Sequence, residues 1–242
     1  MNETLFSQIQ KLLERTYAQV GINLEDCLID RRRCAQLSIL AGKSARELSE
    51  LARTFLRTAD ERLYVGIYYS RWLIEQLERH DPRGGLSDRN IGSLIAFVEE
   101  INHALHATLQ FKNGAREIES EDFVRNLELQ AQIDTYLVLL LFVAFFRKTR
   151  RVSRTDRRWL RFHLFERQCP QAFADRNLRA RYLETSELAS SYTHYLDTLN
   201  GMRRLDEIRR FRSLDYSAKK ERVLALPAGE ILSRRVNLIC EN

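Results

Sequence analysis

Residues 120–146 read SEDFVRNLELQAQIDTYLVLLLFVAFF, and the fold class turns on this stretch. Its second half, Tyr136–Phe146, is apolar for eleven residues, while its first half sets Glu128, Gln130, Gln132 and Asp134 among apolar neighbours. A helix that is apolar all round must be covered on every side by protein or by lipid. Spanning a bilayer takes about twenty apolar residues, and this run is followed at once by Arg147, Lys148, Arg150 and Arg151. The expectation is therefore a central helix over residues 120–146, buried by other helices, and no membrane span.

Outward from it, helical spacing recurs on both sides. Glu3–Val20 carries Leu5, Ile9, Leu12, Leu13 and Tyr17 near a 3.6-residue period. Leu24–Leu40 reads as a second helix, with Cys27-Leu28-Ile29 as an extended alternative. Ser44-Ala-Arg-Glu47 fits a capping box opening a helix with Leu48, Leu51, Phe55 and Leu56, which runs on or breaks near Asp60 into Leu63–Arg79. After the breaker Asp81-Pro82-Arg83-Gly84-Gly85, helices are expected from Ser87 or Asn90 to Leu109, Ser153 to Arg167, Ala174 to Leu199, Met202 to Arg212 and Ser217 to Leu224. Glycine (9) and proline (3) are scarce in 242 residues, and a β-rich chain needs many such turn residues. The chain reads as all-α, a multi-helix bundle of about eight helices. It forms a single domain over 1–242, with residues 147–156 as the best seam between an N-terminal bundle and a C-terminal helical segment.

Thirty-nine basic residues, 33 of them arginine, face 33 acidic ones, for a net charge of +6. Such interleaving suits a solvated, ion-paired surface, and the one concentrated patch is Arg147–Arg158. There Arg147, Lys148, Arg150, Arg151, Arg154, Arg157 and Arg158 stand against Asp156 alone. This connector is the candidate contact for nucleic acid or an acidic protein. It would also serve as a solvated turn beyond the C-terminal end of the preceding helix. Four cysteines without a CxxC pair, and charged residues where a leader would be apolar, suggest free thiols in a reducing cytoplasm. No Gly-x-Ser-x-Gly elbow, phosphate-cradling glycine loop or His-Glu-x-x-His is present, which argues against serine hydrolysis, nucleotide-dependent chemistry and zinc proteolysis.

One constellation could carry chemistry. In Glu99-Glu100-Ile-Asn-His103-Ala-Leu-His106, Glu100 and His103 share a helix face at the Glu-x-x-His spacing used by carboxylate-bridged metal bundles. Glu128 and Asp134 lie on the next helix, where a buried carboxylate needs a partner, a metal or a proton. Glu100, His103, Glu128 and Asp134 are thus candidates for a buried acid–base site. With Glu187 and His194 from residues 174–199 they are also candidate ligands to a divalent metal (Fe, Mn or Zn). A complete two-metal pattern needs two Glu-x-x-His pairs, and there is one. The competing reading places Glu99, His103 and His106 opposite the core face of Leu94, Phe97, Val98, Ile101, Leu105 and Leu109, facing water. Arg158 and His163 resemble the Arg-x4-His motif of HEPN-type helical ribonucleases in two residues only, without the polar residue usual after the arginine, and imply no assignment.

Overall fold

The computed structural model describes residues 3–41, 51–146, 151–167 and 175–226. The architecture among them is helical: α1 (Leu5–Thr16), α2 (Arg31–Leu40), α3 (Arg71–Arg79), α4 (Ile91–Lys112), α5 (Glu121–Phe146), α6 (Arg154–Arg161), α7 (Arg176–Thr198), α8 (Gly201–Arg212) and α9 (Tyr216–Leu224). Local chemistry sets many of the starts. Thr4, Asp30, Ser70, Asp175 and Asp215 each accept a first-turn amide, and Ser153 with Asp156 closes a reciprocal capping box on α6.

The helix expected across 48–79 is overturned for most of its length. Ala52–Ala59 (β1) and Arg62–Tyr69 (β2) form an antiparallel hairpin with Ala52 opposite Tyr69, and only α3 of that stretch is helical. Thr54, Phe55 and Thr58 on one strand, and Tyr64, Val65, Ile67, Tyr68 and Tyr69 on the other, are β-branched or aromatic, and they fit a pleated surface better than a helix. Asp60 and Glu61 take φ of 50° and 57°, the left-handed pair that a two-residue hairpin turn requires. The capping box at Ser44–Glu47 lies outside the described residues. Leu24–Leu40 is also not one helix. A 3-10 turn (Leu24–Cys27) leads to Leu28, which bridges to Ile67, and the Ile29 amide donates to the Ile67 carbonyl at 2.8 Å before α2 begins.

Two large apolar clusters meet on α5, and a smaller one of Ala107, Ile118, Phe123 and Leu127 sits at its start. The larger joins α1, the hairpin, α3, α4 and the second half of α5 through Phe6, Ile9, Ile67, Leu73, Val98, Leu105 and Leu139. The second packs Leu129 and Ile133 of α5 against α7, α8 and α9, with the rings of Tyr192 and Phe211 stacked at 3.8 Å. Ion pairs pin the C-terminal helices. Arg157 and Arg161 both reach Asp197, which also accepts from the Tyr136 hydroxyl at 2.6 Å, and Arg222 pairs with Glu207 at 2.5 Å. Among the described residues α5 alone is long and apolar enough to cross a membrane, but 61% of its most apolar window is buried inside the protein.

Candidate functional site

The hairpin changes the surroundings of α4. Thr54 Oγ1 donates to the Glu100 carbonyl at 3.1 Å, and Tyr69 Oη donates to the Phe97 carbonyl at 2.8 Å. The helix is thereby covered on the side that the sequence pattern left open to water. Its polar residues consequently sit inside the molecule, where they divide between two settings.

The first setting is sealed. His106 (1% exposed) meets Asp134 with Nε2 to Oδ2 at 2.6 Å. The other oxygen of Asp134 accepts from the Tyr17 hydroxyl and from Gln130 Nε2, the latter at 3.1 Å. Arg212 Nε donates to His106 Nδ1 at 3.2 Å, and Lys219 Nζ donates to Gln130 Oε1 at 2.7 Å. Since Nδ1 accepts, the ring proton is assigned to Nε2 and given to Asp134. Burial pushes the His106 imidazole below its ordinary pKa and Lys219 down to about 7, and it holds the Tyr17 phenol well above its usual value. These groups come from α4, α5, α8, α9 and the end of α1, and they line neither described cavity. They form a satisfied internal lock.

The second setting is open. A cleft of about 560 Å³ runs beside α4 between β1, α5, α7 and the segment after α6. Glu99, Glu100, His103, Glu128, Gln132 and Tyr182 line it, as do Asp88, Arg89 and His163 nearer the start of α4. His103 Nε2 stands 3.8 Å from Glu128 Oε2, each side chain 16% exposed. Burial, then the charges of Glu128 and Glu100, push the Glu99 carboxyl up to about 8. Glu100 is also raised, by burial, although the neighbouring His103 and Thr54 counter it. The negative charge of Glu128, with burial, raises the Tyr182 phenol well above its usual value. At the other end His163 Nε2 lies 3.1 Å from Asp88 Oδ1, which also accepts from Trp159 Nε1 at 3.1 Å.

Of the residues expected at a site, the structure therefore brings Glu100, His103 and Glu128 together. Asp134 is separated from them in the sealed lock, while Glu187 and His194 are exposed on α7 away from the cleft. The metal set is not assembled: among the described residues no group of three His, Cys, Asp or Glu side chains is placed to hold an ion. Tyr182 is the member that the spacing argument left out, while Glu99 entered it only in an alternative stripe with His103 and His106. Tyr182 is more than fifty residues from Glu128 in sequence, and no pattern in α7 marks it. In the basic connector Arg147, Lys148 and Arg150 lie outside the described residues. Arg151, Arg154 and Arg158 are exposed, and Arg157 is committed to Asp197. His163 is bound to Asp88 and Arg167, with no contact to Arg158 among those described.

No family of proteins, curated protein or solved structure matches the chain in sequence or fold, so the site is read from its own geometry.

Proposed function

We propose that the cleft along α4 is an acid–base site acting on a bound small molecule. Three carboxylates and an imidazole from α4 and α5 open onto one cavity, and this convergence carries the reading. A structural His–carboxylate pair in this protein looks different, as the sealed His106–Asp134 network shows. In the cleft Glu99 holds a proton at neutral pH and can give it to a bound group, while Glu128 beside His103 is the acceptor. A carboxyl kept protonated by burial beside other carboxyls in a cleft is a usual mark of a general acid.

The test is a carboxyl-carbon NMR titration of the full chain with labelled glutamate. One glutamate should titrate near 8, and its signal should vanish in Glu99→Gln while the other resonances hold their positions. Ordinary titration of every glutamate would remove the proposal.

A second reading, binding of an acidic protein or nucleic acid, keeps one observation in its favour. The last turns of α5 expose Leu141, Phe145 and Phe146, and the basic connector that follows in sequence has Arg151, Arg154 and Arg158 exposed. Such binding should weaken steeply with salt and in an Arg154→Ala/Arg158→Ala double variant. Binding indifferent to both would eliminate it.

A further inference from the structure

Gln132 sits one turn along α5 from Glu128, is 4% exposed, and lines the cleft. Its Nε2 donates to Thr185 Oγ1 at 3.3 Å, and its Oε1 is buried with no hydrogen-bond partner among the described residues. The orientation of this amide follows from its neighbour. The Thr185 hydroxyl donates to the Arg181 carbonyl at 2.9 Å, so toward Gln132 its oxygen can only accept. The Gln132 nitrogen must face Thr185, and the amide oxygen must face away from it.

A buried carbonyl oxygen without a donor is expensive to keep, and native proteins keep few of them. Beside this one, the Glu99 carboxyl has no hydrogen bond or ion pair among the described residues, and the Glu128 carboxylate has only His103, at 3.8 Å. Of the cleft's own cations, Arg53 Nη1 donates to Ser38 at 2.7 Å and Arg167 Nη1 contacts His163 at 3.3 Å, while Arg89 lies nearer the start of α4. At this end the spare acceptor atoms among the described residues, Gln132 Oε1 and the oxygens of Glu99 and Glu128, outnumber the spare buried donor, Arg53 Nε. Their complement is a ligand rich in N–H donors and positively charged. A planar guanidinium offers five such donors and matches carboxylate geometry better than a metal ion or a single hydroxyl would.

We propose that the α5 end of the cleft binds a small guanidinium compound, with Gln132 Oε1, the Glu128 carboxylate and the carbonyl oxygen of the protonated Glu99 carboxyl accepting its N–H groups. Tyr182 forms an adjoining wall. This inference names the substrate class of the acid–base site proposed above and rests on that site being the working one.

Isothermal titration calorimetry of the full chain with methylguanidinium chloride tests it, against methylurea as the uncharged compound of the same shape. Methylguanidinium should bind saturably at one site, with Kd about 1 mM or tighter, a reasonable affinity for so few atoms. Methylurea should bind at least about tenfold more weakly, and Gln132→Met should weaken methylguanidinium binding about tenfold. Equal binding of the two probes, or no binding of either, overturns the proposal. So does unchanged affinity in a Gln132→Met variant shown by circular dichroism to be folded. Should that variant not fold, the wild-type preference between the probes still decides. A glutamate titrating near 8 without methylguanidinium binding sinks the ligand class and leaves the acid–base site. Binding without the raised titration does the reverse.

Discussion

Glu99 shows how one side chain's surroundings set its chemistry. Its carboxyl shares a partly buried wall with Glu100 and Glu128, and its pKa rises to about 8 from 4.5 because burial disfavours the charged form and the charges of its neighbours add to that. The folded chain therefore holds a proton that the unfolded chain releases, so this residue makes the fold less stable as pH rises from about 4.5 to about 8. Glu99→Gln keeps the shape and removes the charge. Its stability relative to wild type should climb by up to ~1.4 kcal/mol per pH unit across that window and then level off, as read by urea denaturation at several pH values. A flat difference would mean that Glu99 titrates normally. At Asp134 the hydrogen-bond partners decide, because the groups it faces are donors. In Asp134→Asn the new amide nitrogen confronts His106 Nε2–H or the Tyr17 and Gln130 donors, and Arg212 on Nδ1 opposes a change of tautomer. The variant should lose about 2–3 kcal/mol by urea denaturation, nearly as much as Asp134→Ala, while the Glu99 resonance stays in place.

At the scale of the element, the hairpin is where sequence and structure part. The long helices were legible because their signals are local and redundant: an apolar run in α5, helical spacing in α1, breakers at residues 81–85. The hairpin's were not, since Asp60-Glu61 is a poor turn signal. Both residues adopt φ values that glycine and asparagine accept more readily. Replacing the pair by Asn-Gly should stabilise the protein by about 0.5–1 kcal/mol, seen as a higher melting temperature, provided the turn is two residues long with left-handed geometry. A loss of stability would show that the side chains of Asp60 or Glu61 make contacts that matter more. The missed hairpin also explains the misread face of α4. Glu99, Glu100 and His103 share a helical face that would be wet in a plain bundle, and only β1 packing across it encloses them beside a cleft. The Glu100–His103 pair was readable from helical spacing, and Glu128 joined it through the expectation that successive helices pack antiparallel. Tyr182 and the separation of Asp134 depend on how distant helices pack, which spacing within one helix does not encode.

Across the whole molecule, the sealed lock ties together the two halves of the core. Tyr17 and His106 belong to the side of the larger cluster, Asp134 and Gln130 to the shared helix, and Arg212 and Lys219 to the C-terminal helices. Lys219 is the member that makes this coupling sensitive to pH. It is 0% exposed, its ammonium lies 5.3 Å from the Phe211 ring centre, and burial outweighs the attraction of Asp134 to hold it near 7. A base with a lowered folded pKa binds fewer protons in the folded state than in the unfolded one between its two values, so stability rises with pH from about 7 to about 10.5. Lys219→Met keeps much of the volume and removes the charge. It should be most favourable relative to wild type below pH 7, and that advantage should shrink by up to ~1.4 kcal/mol per pH unit as pH rises toward 10.5. Its hydrogen bond to Gln130 is lost at every pH, so the slope of the difference, not its sign at one pH, is the quantity that reports the buried charge. A pH-independent difference in guanidinium-chloride midpoints would show that Lys219 stays charged within the core, with Gln130 and Asp134 solvating it in place of water.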